Sequence, residues 1–209
     1  MQKQGGVWPA HETTELILIA WHGLGADAKD LYPIAQTLGE DLAPKKTLII
    51  CPQAPIQMVS MHGSTCPAWC DIVSLSEKSP KDVSGLEAQL GWLTPWIEGI
   101  IGSIKAPIFH IGFSQGGAMA ATYTSHHPCQ GLVMLSSYWP SEQHLPTCPI
   151  LWQHGEEDPI LPIDWAKRAI DRLPLSIQFE SYPCEHTFHP SQYPSLKAWC
   201  LKQLGMTDA

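Results

Sequence analysis

The sequence has few positive charges and no long apolar run. Its 12 lysines and arginines are outnumbered by 20 aspartates and glutamates, and the formal net charge is -8. This balance argues against a nucleic-acid-binding surface and against a polybasic patch on a membrane. No apolar stretch approaches the roughly 20 residues that a transmembrane helix needs. We therefore predict no nucleic acid partner and no integral membrane association.

The sequence also lacks a cysteine framework. Its seven cysteines are an odd number and are scattered, and residues 1–6 do not resemble a secretory signal. We expect reduced thiols, mostly as core fillers, in a cytoplasmic protein. His62, Cys66 and Cys70 are spaced by four, but zinc sites usually show C-x2-C-like spacing and a fourth ligand. We therefore predict no metal site at these residues.

What the chain does contain is an alternation of apolar and amphipathic segments, and 44% of its residues are hydrophobic. The strand candidates are residues 15–21, 47–51, 107–111, 131–135, 149–153 and 177–182. The helix candidates are residues 28–42, 86–100, 165–173 and 193–204, with a further helix after Ser114. This order predicts one α/β domain over residues 1–209, with a mostly parallel sheet and helices on both faces.

The pattern Gly-x-Ser-x-Gly stands at residues 112–116, between a strand candidate and a run of small, helix-compatible residues. Glycines at both ends of the pattern allow the strand and helix backbones to approach closely while Ser114 is held in a strained turn. This is the context of a nucleophile elbow, in which the serine hydroxyl points out above the edge of the sheet. Ser114 is therefore the predicted nucleophile.

A serine nucleophile needs a base, usually histidine, and an acid that orients the base. Four acidic residues compete for the acid: Glu156, Glu157, Asp158 and Asp164. Asp158 precedes a proline that favours an extended, turn-like backbone, whereas Asp164 starts a predicted helix, where a capping role suffices. We favour Asp158 as the acid.

Two histidines follow the last predicted strand and compete for the base, His186 and His189. His189 precedes Pro190 at a predicted helix start, where a surface or capping role suffices, so we favour His186. The chain order Ser114, Asp158, His186 is the order used by α/β hydrolases.

Two backbone N–H groups should form an oxyanion hole. One belongs to Gln115, directly after the nucleophile, and the other to the glycine loop that follows the first buried strand, with Leu24 as the favoured donor. Gly23 and Gly25 allow this loop to curl toward Ser114. An ordinary strand-to-helix turn is the alternative interpretation of the loop.

With these residues the chain resembles the acyl-protein thioesterase / bacterial carboxylesterase family, also called the phospholipase/carboxylesterase group of α/β hydrolases. The matching residues are His22-Gly23-Leu24-Gly25, Pro52-Gln53-Ala54-Pro55, Trp69, Asp71, Gly112-Phe113-Ser114-Gln115-Gly116-Gly117, His154-Gly155, Asp158-Pro159, Tyr182 and His186. The resemblance implies the α/β-hydrolase fold, a triad of Ser114, Asp158 and His186, and oxyanion donors at Leu24 and Gln115. It also implies hydrolysis of carboxylic ester or thioester bonds without a cofactor.

The chain departs from the family pattern at Trp21, at Cys70 and in residues 62–66, which differ from the family's usual acyl-binding loop. These positions leave the triad unchanged. Residues 53–80, called the covering segment below, have no clear period but contain enough apolar residues for an ordered loop. We expect the covering segment to lie over Ser114 and to present Met61 and Trp69 to the acyl chain, in a fold with no large cap domain.

The sequence thus predicts a serine hydrolase that cleaves acyl esters or thioesters through an acyl-enzyme. The substrates in view are small acyl esters or thioesters, lysophospholipids and acylated proteins. The alternative is a binding protein on the same fold with an inactive site, because fold alone does not settle function. Both a monomer and a homodimer stay open.

Overall fold

The computed structural model describes residues 4–79, 81–143 and 145–207. The predictions for the first six residues, for the end of the covering segment at Pro80 and for a domain over residues 1–209 therefore extend beyond the described residues. The nine described strands are β1 (Gly5–Trp8), β2 (Leu16–Trp21), β3 (Thr47–Pro52), β4 (Ile56–Val59), β5 (Ser64–Pro67), β6 (Ile108–Phe113), β7 (Gly131–Leu135), β8 (Ile150–Gly155) and β9 (Ile177–Tyr182).

Seven of these strands form one sheet in the order β1-β3-β2-β6-β7-β8-β9. All neighbouring pairs are parallel except β1 and β3. Strands β2, β7 and β8 are buried along their whole length, as expected for central parallel strands covered on both faces. The predicted mostly parallel sheet is confirmed, and the carboxyl ends of its parallel strands meet at one edge.

Five α-helices cover the sheet: α1 (Tyr32–Leu42), α2 (Val83–Ile101), α3 (Gln115–Thr124), α4 (Ile163–Arg172) and α5 (Tyr193–Gln203). Two separate apolar cores lie between helices and sheet. Helices α2, α3 and α4 bury their apolar side chains in one core, and α1 and α5 bury theirs in the other. The prediction of helices on both faces is confirmed. None of the helices in the described ranges combines the length and the apolarity that crossing a bilayer requires.

The structure differs from the predicted elements at three places. Edge strand β1 was missed, because it is short and half of it is glycine. Helix α1 begins at Tyr32 and not at Ala28, since Asp27 forms a turn by accepting a hydrogen bond from the Lys29 N–H (2.7 Å). The covering segment contains an antiparallel hairpin of β4 and β5, whose four-residue strands are too short to show a period.

Candidate active site

Ser114 occupies a sharp turn between β6 and α3. Its backbone has φ 52° and ψ -121°, a conformation that residues other than glycine rarely adopt. A Cβ added at Gly112 would lie 2.4 Å from the Gly116 carbonyl oxygen, and one added at Gly116 would lie 2.1 Å from that of Trp21. Both glycines of the pattern are therefore needed for the close approach of strand and helix, as the sequence predicts.

The structure brings Ser114, His186 and Asp158 together in one hydrogen-bonded chain. The Ser114 hydroxyl donates to Nε2 of His186 over 3.0 Å, and Nδ1–H of His186 donates to Oδ2 of Asp158 over 2.7 Å. The three residues come from loops that follow β6, β9 and β8 at the same edge of the sheet. This arrangement allows Ser114 to lose its proton to His186 while Asp158 holds the imidazole in the required tautomer.

The competing residues lie elsewhere. Glu156 accepts a hydrogen bond from the Ser181 hydroxyl on the outside of the sheet edge (2.7 Å), and Glu157 is exposed. Asp164 lies in the first turn of α4. His189 caps the short 3-10 helix at Pro190–Gln192, where its ring accepts a hydrogen bond from the backbone of that helix. Of the two alternative roles that the sequence offered, His189 has its capping role, whereas Asp164 does not cap α4, whose N-cap is Pro162.

The buried carboxylate of Asp158 remains ionised because its hydrogen bonds outweigh its burial. Burial raises the pKa of Asp158, but the hydrogen bond from His186 and the backbone N–H groups of Leu161 (2.8 Å) and Ile160 (2.9 Å) lower it, and the pKa lies below its ordinary value. A negative charge beside the imidazole stabilises the imidazolium that forms when His186 takes a proton.

A second histidine, His154 at the end of β8, touches the same carboxylate. Its Nε2 lies 2.7 Å from the Leu161 carbonyl oxygen and 3.4 Å from Oδ2 of Asp158. Burial lowers the pKa of His154, so the ring is neutral and donates from Nε2. His154 therefore supports the loop that orients Asp158. The sequence singled out His154 by its place at a strand end and by its match to the family pattern, but it did not predict this contact.

The glycine loop after β2 lies directly beside the nucleophile. A Cβ added at Gly23 would be 3.5 Å from the Ser114 Cβ. Buried His22 fixes the start of the loop, since its Nδ1 donates to the Gly23 carbonyl (2.8 Å) and its Nε2 accepts from the Ala54 N–H (3.0 Å). Burial lowers the pKa of His22, in keeping with a neutral ring. Leu24 lines the cavity next to Ser114.

The Ser114 hydroxyl opens into a cavity of about 300 Å³. Met61 of the covering segment lines this cavity, together with Leu24 and Gln115. Further apolar walls come from residues to which the sequence assigned no site role: Ile72, Leu75, Phe113, Ile160, Leu161 and Trp165. The sequence did not distinguish these residues, because a core role was equally consistent for each of them.

The prediction that Trp69 faces the acyl chain is wrong. Its side chain is fully buried and lies edge-on to Trp21, with ring centroids 5.5 Å apart. Its indole N–H donates to the His22 carbonyl (2.8 Å), and its backbone N–H donates to the Gln115 side chain (2.8 Å). A tryptophan that fills the core and satisfies its N–H there has no surface left for a substrate. Trp69 positions the loop beneath the cavity instead.

The sequence predicts reduced thiols and no metal site at its cysteines. All seven cysteines are free thiols, and four of them are buried. Cys70 lies 3.7 Å from the Tyr138 hydroxyl and 3.3 Å from Nε2 of Gln115. Across residues 4–79, 81–143 and 145–207, no three His, Cys, Asp or Glu side chains are grouped closely enough to hold a metal ion.

A model of the phospholipase/carboxylesterase family matches residues 6–199. The chain belongs to that family. It is an α/β hydrolase that acts on carboxylic ester or thioester bonds. Acyl-protein thioesterase 1 of Cryptococcus neoformans is 28% identical over 228 residues, which cover 93% of this chain and 94% of that protein.

Solved structures show the same fold. Acyl-protein thioesterase 2 of Zea mays superposes with a TM-score of 0.81 at 24% identity, over 96% of this chain and 98% of that one. The carboxylesterase of Bacillus cereus superposes with a TM-score of 0.73 at 18% identity, over 95% of this chain and 93% of that one. At these identities the likeness establishes the α/β-hydrolase architecture without a large cap domain, and nothing about the substrate.

Proposed function

We propose that Ser114 is the nucleophile, His186 the general base and Asp158 the residue that orients the base. The single observation that carries this proposal is the continuous hydrogen-bonded chain of the three side chains, 3.0 Å and 2.7 Å long at its two links. Ser114 also has the positive φ of a strained backbone, which a nucleophile elbow requires. An inactive binding protein would have no use for this strain or for a charged carboxylate behind the imidazole.

The reaction runs in two halves. As Ser114 Oγ attacks the acyl carbonyl carbon, its proton passes to Nε2 of His186, which then gives it to the departing alcohol or thiol. The acyl group stays on Ser114 as an ester. A water molecule, deprotonated by His186, attacks this ester, and the acid leaves as the proton returns to Ser114.

The N–H groups of Leu24 and Gln115 are the proposed oxyanion donors. Gln115 is the first residue of α3, so its N–H is one of the free groups at a helix N-terminus. The loop that carries Leu24 is held beside Ser114 by His22, and the hydrogen bonds of the described residues include no acceptor for either amide. Free N–H groups beside the nucleophile support a role in binding the negative charge that develops on the carbonyl oxygen.

The substrates we propose are acyl esters or thioesters with a short to medium acyl chain. A cavity of about 300 Å³ with Met61 and other apolar residues in its wall accepts several methylenes, and no large cap domain encloses a longer chain. The name of the Cryptococcus neoformans relative supports an acylated protein as one natural source of the thioester.

We further propose a reducing compartment, the cytoplasm, as the site of action. Seven free thiols and the absence of any disulfide among these cysteines, all of which the structure describes, support it. A single copy of the chain contributes every residue proposed for the reaction, so the active site needs no second subunit. Size-exclusion chromatography with light scattering would distinguish a monomer from a homodimer.

Labelling by a fluorophosphonate, followed by intact mass and peptide mapping, tests the proposal. We expect one adduct per chain, on Ser114. Ser114→Ala should lose labelling and at least about 10⁴-fold of kcat for p-nitrophenyl hexanoate, with an unchanged circular dichroism spectrum. Ser74→Ala is the matched control, since Ser74 lines the same cavity but lies outside the hydrogen-bonded chain. Near-normal turnover by folded Ser114→Ala protein would overturn the assignment and revive the inactive binding protein.

A further inference from the structure

The described lining of the Ser114 cavity contains one lysine and no arginine. This residue, Lys81, directly precedes the N-cap of α2. Its Nζ lies over two aromatic rings of the cavity wall, 5.2 Å from the centroid of Tyr138 and 6.0 Å from that of Trp165. The aliphatic stem and the two rings together fix the ammonium group at the cavity.

The ammonium of Lys81 forms none of the ion pairs found among the described residues. The nearby carboxylate of Glu77 is engaged instead by Arg168, through two hydrogen bonds of 2.8 Å. Burial lowers the pKa of Lys81, partly offset by the charge of Glu77, as expected for an ammonium that has lost part of its water. The Lys81 ammonium can therefore donate hydrogen bonds to an anionic group of a substrate in the cavity.

Three carboxylates also line the cavity, but none lies in an ion pair with Lys81. Asp71 accepts hydrogen bonds from the Ser60 N–H (2.7 Å) and hydroxyl (2.6 Å). Asp82 caps α2 and accepts from the Gly85 N–H (2.9 Å) and the Asp71 N–H (3.0 Å). These charges disfavour an anion near their own positions.

The remaining carboxylate, Asp30, is exposed on the side of the cavity near the Leu24 loop. Because all three carboxylates repel anions, the cavity offers an anionic group one favourable place, beside Lys81. An anionic group would therefore bind at one position in the cavity, because the cavity as a whole does not have a positive potential.

We propose that Lys81 is a specificity residue, and that the preferred substrates are acyl esters or thioesters with a carboxylate remote from the scissile carbonyl. The carboxylate sits either at the far end of the acyl chain, as in a monoester of a dicarboxylic acid, or on the leaving group. Both sources share one chemistry, a carboxylate bound by the Lys81 ammonium. The inference rests on the proposed role of Ser114 as nucleophile.

The test compares kcat/KM for substrates matched in length and differing in charge. For the acyl arm the pair is p-nitrophenyl octanoate and the mono-p-nitrophenyl ester of suberic acid. For the leaving-group arm the pair is the octanoyl ester of 4-hydroxybenzoate and that of its neutral methyl ester. The variants are Lys81→Met, which keeps the apolar stem, Lys81→Arg, which keeps the charge, and the control Lys78→Met at an exposed lysine outside the cavity lining.

In one of the two arms we expect Lys81→Met to lower the ratio of anionic to neutral kcat/KM by at least about tenfold, the value of a hydrogen bond to a charged group. Neutral esters should change by less than about threefold, Lys81→Arg should retain the ratio, and Lys78→Met should leave it unchanged. The arm that responds identifies the position of the carboxylate.

An unchanged ratio in both arms, with neutral esters still hydrolysed, would overturn the role of Lys81 and leave the Ser114 proposal intact. Equal losses on anionic and neutral esters would show that Lys81 only supports packing, which also overturns the inference. Failure of the unmodified protein to hydrolyse any ester and to label with fluorophosphonate would overturn both proposals, because the subsite presupposes the nucleophile.

Discussion

The two sides of the cavity are built in different ways. On the strand-end side, Ser114, Asp158 and His186 project from loops that directly follow parallel strands, and the backbone ladder of the sheet sets their spacing. On the opposite side, the described part of the covering segment has only a two-stranded hairpin of its own. Side-chain hydrogen bonds help to hold it there, since Gln115 bonds the backbone at both Trp69 and Cys70. The Gly25 N–H also donates to the Pro67 carbonyl (2.8 Å).

Because of this difference, the strand-end side fixes the reacting groups, and the covering segment can vary the substrate selectivity. A parallel sheet leaves little freedom in where its strand ends lie, so the reacting groups keep their geometry when loops change. A segment that lies outside the central sheet can change its cavity-facing residues at lower cost to the fold. Of the departures from the family pattern that the sequence suggests, Cys70 and residues 62–66 lie on this second side, Trp21 ends strand β2, and the triad positions show none.

The largest effect should come from removing the proposed catalytic base, His186, on the strand-end side of the cavity. We expect His186→Ala to lower kcat by at least about 10⁴-fold, since the hydroxyl of Ser114 then has no acceptor for its proton. His189→Ala, the matched control three residues away, should change kcat by less than about threefold, because His189 only caps a 3-10 helix. Steady-state kinetics on p-nitrophenyl hexanoate measure both. If His189→Ala proved the more damaging change, the assignment of the base would be wrong.

The next change tests how the covering segment is anchored. Trp69→Ala should lower the free energy of unfolding by about 3 to 5 kcal/mol, because it empties a fully buried site and leaves the His22 carbonyl without its donor. Urea denaturation followed by circular dichroism measures it. A stability within about 1 kcal/mol of the unmodified protein would contradict the anchoring role.

A third prediction concerns the core beneath the strand-end side, where His110 of β6 accepts a hydrogen bond from the Trp21 indole (3.0 Å). Burial lowers the pKa of His110 to about 3, whereas a histidine in the unfolded chain titrates near about 6.5. Between these values the unfolded state binds more protons, so stability present above pH 6.5 is lost as the pH falls. The expected contribution is about 1.4 kcal/mol per pH unit.

Urea denaturation at several pH values between about 4.5 and 6.5 measures this slope. His110→Gln retains an acceptor for the indole and should reduce the slope by about 1.4 kcal/mol per pH unit, and exposed His11→Gln is the control. Buried His22 and His154, whose pKa values burial also lowers, should contribute with the same sign. An equal slope in His110→Gln and unmodified protein would refute the neutral, buried state of His110.

The smallest effect should come from Met61, one of the cavity-lining residues of the covering segment. Each methylene buried in the transition state is worth about 0.8 kcal/mol, close to fourfold in kcat/KM. Met61→Ala should therefore flatten the rise of kcat/KM from p-nitrophenyl acetate to hexanoate, with little change for acetate and little loss of stability. A slope that Met61→Ala leaves unchanged, or acetate as the best substrate, would show that this wall does not bind the acyl chain.

Much of the scaffold was predictable because buried parallel strands are continuous apolar runs. Strand β2 was predicted at residues 15–21 and lies at Leu16–Trp21. The glycine spacing around Ser114 predicted the elbow, because only glycine fits where strand and helix backbones nearly touch. Edge strand β1 escaped prediction since a four-residue segment with two glycines has neither an apolar run nor an alternation.

The sequence by itself determined the order of strands and helices, the strained turn at Ser114 and a short set of competing acids and bases. Local spacing and composition contain this information, because hydrophobic periodicity and glycine sterics act between near neighbours. Only the tertiary structure decided that Met61 faces the cavity while Trp69 fills the core, and that Lys81 stands over Tyr138 and Trp165. In a segment without a period, the direction of a side chain depends on partners far away in the chain.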